Sequence, residues 1–287
     1  LDRNSEYLGI STLQLMENAG KAVSDEIAGR FAPNSKILVY AGTGRNGGDG
    51  MVAARHLASR GYHLTLVLVG MASEIRDEAT SRNWRATNAM SDTVTIETVQ
   101  DSSQISPREC DVVIDALLGT GVRGSLRQPI MRAVQTINDT RAFKVAVDVP
   151  TGIDSDTGDV LGAAISADLT VTFHARKPGL RISKQYCGEV KVMGIGIPRE
   201  AETCAGPGDV EDVVKPRSPD AHKGDFGRLL VIGGSEIYSG APAFVALAAL
   251  RTGVDLVFVA GPEPAATSIA SFSPNLITIR LVGDHLN

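Results

Sequence analysis

Aromatic side chains make up only 5% of this 287-residue chain, too few to build the stacking platforms that hold single-stranded nucleic acids. Basic residues form no block either. The 28 Lys and Arg are scattered among 33 Asp and Glu, for a formal net charge of −5, so duplex nucleic acid and anionic membranes are not expected partners. Cysteine is scarce: Cys110, Cys187 and Cys204 are odd in number, far apart and without a CxxC spacing. That excludes a disulfide framework or a zinc ribbon and fits a reducing, cytoplasmic setting. The five histidines, His56, His63, His174, His222 and His285, show no HxH or HExxH spacing, so no transition-metal centre is expected. Long apolar runs are missing too: the stretch from Pro242 to Gly261 is broken by Arg251, Thr252 and Asp255 and does not span a bilayer. No targeting segment is expected before LDRNSEYLG, although a start at Leu1 leaves room for a trimmed leader.

What remains, 43% hydrophobic and 21% charged, is the composition of a globular protein with one large or two ordinary domains. Ser11 stands before an apolar pattern at Leu13, Met16, Ala19 and Val23, with Gln14 three residues on. This spacing predicts a capping box and an amphipathic helix ending near Phe31. KILVYA (36–41), HLTLVLV (63–69), DVVIDALL (111–118) and KVAVD (144–148) are short apolar runs of the kind buried on both faces of a parallel sheet. A weaker strand is expected over 94–98, and further strands over 168–173 and 189–192. Helices are expected over 51–61, 75–88 and 129–138. The alternation predicts a doubly wound α/β domain whose strand-to-helix loops gather on one sheet edge, where ligands bind. From Pro198 to His222 the composition turns to Pro, Gly and acid, which predicts a linker. RLLVI (228–232), a glycine turn, a helix to Thr252 and DLVFVA (255–260) then open a second α/β domain, expected to be incomplete at Asn287.

Three loops on the expected edge carry chemistry. Gly42, Gly44 and Gly47 form G-x-G-x-x-G between a strand and a helix, where glycine allows close backbone approach and the helix N-terminus offers free N–H groups to phosphate. An NAD dehydrogenase would carry an acid at the end of the second strand. That strand ends LVLVG, and the nearest acid is Glu74. Asp49 would repel pyrophosphate and is expected to cap the helix or to contact a ribose or a metal. Gly119, Gly121 and Gly124 repeat the pattern after a strand that carries Asp115, an acid that is either hydrogen-bonded in the core or cation-bound. Arg123 is either a surface charge or a cation facing a phosphate or developing oxyanion. In DVPTGID, Asp148 lies at a strand end before a turn containing Pro150 and Gly152; it is either a turn former or an acid–base group in the crevice. Asn46, Asp115 and Thr151 offer oxygen ligands suited to a hard cation.

LQLMENAG, GTGRNGGDGMVAARHL, VIDALLGTGVRG and DVPTGIDSDTG, in this order over about residues 1–200, resemble the NAD(P)H-hydrate epimerase family. HKGDFGRLLVIGGS, YSGAP and ALRTG resemble the start of the ribokinase-like NAD(P)H-hydrate dehydratases, and the tandem resembles the bifunctional NAD(P)H-hydrate repair enzymes. The resemblance implies a Rossmann-like three-layer sandwich (1–212) followed by an incomplete ribokinase-like unit (213–287). It implies epimerisation of NADH or NADPH hydrated at C6 of the nicotinamide ring, NAD(P)HX. Dehydration with ADP or ATP and magnesium is implied only for a complete second domain. Substrate contacts are implied for Arg45, Asn46, Gly47, Gly48 and Asp49, for Gly119, Thr120, Gly121, Val122, Arg123, Gly124 and Ser125, for Asp148, and for Ala241 in the second domain. Potassium ligation is implied for Asn46, Asp115 and Thr151. Asp148 is expected to move the proton of the C6 hydroxyl, with Arg123 stabilising oxyanion charge, in a cytoplasmic homo-oligomer. Two departures stand out: the family's NN is Arg45-Asn46 here, which adds a charge favourable to phosphate, and its usual serine is Thr151, which keeps the hydroxyl. A non-catalytic binding or scaffolding protein on the same fold has no need for both the cation set and the acid, and an NAD-dependent oxidoreductase lacks its acid after the second strand.

Overall fold

An apolar run too short for a buried helix must be covered on both sides, and the structure places such runs at the centre of a parallel sheet. The structure is a computed structural model that describes residues 1–214 and 217–283; His285, with the rest of 284–287, lies outside them. The chain divides into two compact units, Leu1–Val213 and Val214–Asn287. In chain order the first unit comprises α1 (Asp2–Tyr7), α2 (Thr12–Ala28), β1 (Lys36–Ala41), α3 (Arg45–Ala58), β2 (His63–Val69), α4 (Glu78–Asn88), β3 (Val94–Val99), β4 (Val112–Ala116), α5 (Ile130–Asp139), β5 (Phe143–Val147), β6 (Leu169–Phe173), α6 (Gly179–Ile182), α7 (Lys184–Cys187), β7 (Glu189–Met193), α8 (Arg199–Thr203) and α9 (Pro207–Val213). Its seven strands are ordered β3-β2-β1-β4-β5-β6-β7, every pair parallel. The strand order reverses between β1 and β4, which opens a crevice at their carboxyl ends.

Alternate residues of each strand serve opposite layers. Ile37, Val39 and Ala41 of β1 pack with Leu15, Val23 and Ile27 of α2 and with Met51 and Leu57 of α3. Leu38 and Tyr40 face the other layer, with Val134 and Ile137 of α5. Each of the Val, Leu, Ile and Met side chains among them, fully buried, contributes roughly 1.5–3 kcal/mol of hydrophobic stabilisation. The capping box at Ser11 and Gln14 is present, so α2 starts where its sequence signal lies.

The glycine run after β1 departs from expectation. Helix α3 begins at Arg45 rather than at Met51, and none of Gly42, Gly44, Gly47, Gly48 or Gly50 has a positive φ. Space, not backbone conformation, requires most of them. A β-carbon at Gly47 would lie 1.9 Å from the Gly42 carbonyl oxygen, one at Gly42 2.0 Å from that of Leu117, and one at Gly50 2.4 Å from the Ala116 β-carbon. Gly20 plays the matching part on α2, where a β-carbon would meet the Asp49 carbonyl oxygen at 2.6 Å. The stretch expected as a linker is also folded in part: α8 and α9 pack on α1, with the Asn4 amide donating to the Ala201 carbonyl at 3.1 Å and to Asp209 at 2.9 Å.

The second unit carries β8 (Arg228–Ile232), α10 (Gly240–Thr252), β9 (Leu256–Pro262), α11 (Glu263–Ala270) and β10 (Leu276–Leu281), with a parallel sheet ordered β10-β9-β8. Among the described residues no helix is long and apolar enough to cross a membrane.

Replacing Gly47 or Gly50 by Ala should destabilise the protein by about 1–3 kcal/mol, because the new methyl group meets backbone or a packed side chain. Gly44→Ala, where nothing lies within 4 Å, should stay within about 0.5 kcal/mol. Urea unfolding midpoints of the three variants check the contrast.

Candidate active site

The carboxyl ends of β1, β4, β5 and β6 open into a cleft of about 1640 Å³, which takes in Asn46 and Asp49 of α3, Gly119–Arg123, Asp148 and Lys177. This volume exceeds that of ordinary small-molecule pockets and suits a dinucleotide-sized ligand. The opposite bank is formed by α1 and α9, through Asp2, Arg3, Gly208 and Glu211.

Asp148 sits at the end of β5 with φ +65°, and the Val149 N–H donates to the Val147 carbonyl at 2.8 Å across it. The turn is therefore a strained three-residue γ-turn centred on the acid itself, earlier than the expected bend at Pro150 and Gly152. The neighbouring strand β6 ends the same way: His174 has φ +65°, and the Ala175 N–H donates to Phe173 at 2.7 Å. One carboxylate oxygen of Asp148, Oδ1, accepts from the Thr172 hydroxyl at 3.1 Å, from the Phe173 N–H at 3.2 Å and from the Lys177 ammonium. Lys177 also donates to Thr172 Oγ1 at 3.1 Å and to the Phe173 carbonyl at 2.9 Å. Among the described residues nothing donates to Asp148 Oδ2, so one oxygen is anchored and the other is free toward the cleft. Sequence reasoning missed Lys177 and His174. The signal was there, since both follow β6 directly and the carboxyl end of every parallel strand borders the crevice.

Asp115 lies behind the cleft wall, 1% exposed. Its carboxylate accepts from the Thr151 N–H at 2.8 Å, the Thr151 hydroxyl at 2.7 Å and the Leu117 N–H at 3.3 Å. Burial pushes its pKa up to about 6, against the opposing pull of the Thr151 and Leu117 hydrogen bonds. Thr151 Oγ1 in turn lies 3.1 Å from the Leu118 N–H, tying the turn after β5 to the loop after β4. The Asn46 side chain is buried beside Gly119, where a β-carbon would lie 3.3 Å from the Asn46 amide oxygen. Among the described residues its amide nitrogen has no hydrogen-bond partner.

Arg45, Asp49 and Gly119–Arg123 line the same cleft, in surroundings that differ from those expected. Arg45 is exposed and ion-paired to Asp2 and Asp77, each at 3.0 Å, so neighbouring carboxylates already hold the charge expected to favour phosphate. Arg123, 67% exposed, lines the cleft and pairs with Asp154 at 3.7 Å and Asp156 at 3.4 Å. The loop Gly119–Ser125 does not feed a helix N-terminus: α5 starts only at Ile130, and the loop instead ties back through the Leu126 N–H to the Leu161 carbonyl at 2.9 Å. Asp49 is inside α3 rather than at its cap, which is Gly44, and no donor reaches its carboxyl among the described residues. Gly47 and Gly48 are buried within α3. Thr120, Gly121, Val122 and Gly124 form the exposed or half-exposed rim. Ala241 belongs to the second unit, exposed in the first turn of α10.

A parallel sheet in this order, with its cleft at the strand reversal and a glycine-packed helix N-terminus on one side, defines an α/β protein of the Rossmann type. The chain belongs to the family described as YjeF-related protein N-terminus, whose model matches residues 12–179; a second family model, NAD(P)H-hydrate dehydratase, matches residues 229–286. It is 50% identical over 283 residues to the bifunctional NAD(P)H-hydrate repair enzyme Nnr of Hyperthermus butylicus, an alignment covering 99% of this chain and 52% of that protein. It is 39% identical over 202 residues to the NAD(P)H-hydrate epimerase of Cenarchaeum symbiosum, covering 70% of this chain and 93% of that one. The crystal structure of yeast ynu0 superposes with a TM-score of 0.56 at 28% identity, covering 66% of this chain and 82% of that one. The chain spans about half the length of the bifunctional relatives it matches.

Thr151→Val removes the hydroxyl that bridges Asp115 and Leu118 and leaves buried polar atoms without partners. It should cost about 1–3 kcal/mol, whereas Thr151→Ser should cost much less; guanidinium unfolding of the pair checks this.

Proposed function

We propose that the first unit epimerises NAD(P)HX, interconverting the R and S hydrates at C6 of the nicotinamide ring. The observation that carries this reading is Asp148: an acid held at a strained strand end by Lys177, Thr172 and Phe173, with its second oxygen free in a dinucleotide-sized cleft. The hydrate is a hemiaminal, so its C6 hydroxyl proton is acidic enough for a positioned carboxylate to take, and loss of that proton opens a route to inversion. Lys177 keeps the carboxylate in place and compensates its charge. The glycine-packed start of α3 and the Gly119–Ser125 rim leave backbone N–H groups beside the cleft for the phosphates. In this reading Arg123 guides the substrate at the mouth rather than stabilising charge at the reacting carbon.

A potassium ion fits the residues present. The donors are hard oxygens of Asn46, Asp115 and Thr151, and among the described residues no protein donor occupies the Asn46 amide oxygen, which lies beside Gly119. Bound there, the cation would offset the buried charge of Asp115 and brace the turns on either side of the cleft. Dehydration with ADP or ATP and magnesium enters the reading only for a longer protein, with Ala241 contributing at α10. Self-association and a cytoplasmic setting complete it.

Incubation with purified R-epimer, followed by chromatography, should show R-to-S conversion. Asp148→Asn should lower turnover about 10²–10⁴-fold while nucleotide binding survives. Normal turnover in that variant removes the role given to Asp148, and no conversion by the unaltered protein removes the reading. In a separate thermal-shift series, potassium should raise the melting temperature more than an equal concentration of choline, and Asp115→Asn should abolish the difference.

A further inference from the structure

Seven carboxylates line the cleft, namely Asp2, Glu6, Asp49, Asp77, Glu78, Asp148 and Glu211. Six of them have a cationic partner: Asp2 and Asp77 pair with Arg45, Glu6 and Glu211 with Arg3, Glu78 with Arg82, and Asp148 with Lys177. Asp49 is the exception. Among the described residues it has neither an ion pair nor a hydrogen-bond donor on its carboxyl group.

Its position makes this unusual. Helix α3 carries Asp49 one turn beyond Asn46, pressed toward α2 by the close approach at Gly20, so the residue cannot swing away from the cleft with its backbone. The charged groups that bear on it are Asp148 from the end of β5, Asp2 from α1 and Asp77 from the cap of α4, opposed only by Lys177, whose ammonium is already committed to Asp148. Burial first, and then the charges of Asp148 and Asp2, hold its carboxyl well above the usual carboxylate range. One cleft thus holds two acids in opposite surroundings, one braced by an ammonium and one facing other carboxylates, which is the arrangement that separates a base from an acid.

We propose that Asp49 is the proton donor that works opposite Asp148, delivering its proton to the ring nitrogen of the bound hydrate. The proposal rests on the epimerase reading and deepens it. The nitrogen of a hemiaminal next to a conjugated carboxamide is a poor leaving group until it is protonated. Asp148 Oδ2 takes the proton from the C6 hydroxyl; the oxygen–carbon bond becomes a carbonyl, the C6–N1 bond breaks, and N1 receives the Asp49 proton. Rotation about the C5–C6 bond then presents the other face of the aldehyde. N1 re-forms its bond to C6, its proton returns to Asp49, and the carbonyl oxygen recovers a proton from Asp148. Only the configuration at C6 has changed, with no net oxidation and no exchange of protons beyond the two acids.

Two measurements test it. In protein labelled with carbon-13 at aspartate carboxyl groups, the resonance missing from Asp49→Asn should titrate at clearly higher pH than the surface aspartates; if it titrates with them, the proposal falls whether or not the protein is an epimerase. In the R-to-S assay, kcat/KM of the unaltered protein should fall at alkaline pH as Asp49 ionises. Asp49→Asn should lower kcat about 10²–10⁴-fold with KM within a few-fold and should lose that alkaline limb, and Asp49→Glu should restore part of both. Thermal melts establish that both variants are folded. A folded Asp49→Asn enzyme that keeps its turnover and its alkaline limb overturns the proposal while leaving the epimerase reading intact. Absence of conversion by the unaltered protein overturns the reading and this assignment together.

Discussion

Backbone approaches backbone without side chains between them where α3 leaves β1, and the geometry of the cleft follows from that contact. The Gly42 carbonyl seats against Gly47, Gly42 against the Leu117 carbonyl, and Gly50 against Ala116. Because the helix is pressed this tightly onto the ends of β1 and β4, Asn46 comes to rest against Gly119 and Asp49 faces the turn after β5. A helix held one side chain further out would break both relations. The same contact explains why a stretch so poor in helix propensity is helical: the intrinsic cost of several glycines, about 1 kcal/mol each, is set against packing that no larger residue allows.

Electrostatic order in the cleft is layered on this frame. Asp115 lies deepest, and its oxygens are largely satisfied by Thr151 and Leu117, so it works as a brace between two turns. Asp148 is nearer the surface, half satisfied and half free. Among the described residues Asp49 has no hydrogen-bonding or ionic partner for its carboxyl group. Three acids of one residue type thus occupy three surroundings, and the difference lies in which backbone and side-chain donors the fold supplies to each. The two γ-turns at Asp148 and His174 each store of order 1–3 kcal/mol of backbone strain. His174 is also paired to Glu202 of α8, which anchors the end of β6 to the segment that follows β7.

Strand positions were readable because they depend on local pattern. KILVYA, HLTLVLV and RLLVI each form a strand over their whole length, since short apolar runs flanked by turn residues have few other options. Loop chemistry was readable at Asp115 and Thr151, where an acid inside an apolar strand signals a buried polar cluster. Partnerships across distance were not. Arg45 meets Asp77 and Asp2, Arg123 meets Asp156, and Lys177 meets Asp148 29 residues away, and nothing in the local sequence marks those pairings. Both arginines therefore looked unpaired in the sequence, and both carry exposed ion pairs in the structure. Helix α3 was shortened in the sequence reading because glycine usually breaks helices, and here tertiary packing overrides that preference. The Pro- and Gly-rich stretch after β7 misled for a related reason: composition reports flexibility of an isolated chain, not whether a partner surface awaits it.

That partner surface is α1. Asn4 holds Ala201, Gly208 and Asp209 at once, while Arg3 clasps Glu211, so the first and last helices of the unit form a single bank of the cleft. Anyone dissecting the protein by composition would cut at Pro198, and the severed piece would take half of that bank with it and leave the Asn4 amide facing solvent. One wall of the cleft is thus hemmed by the two ends of the unit's own chain.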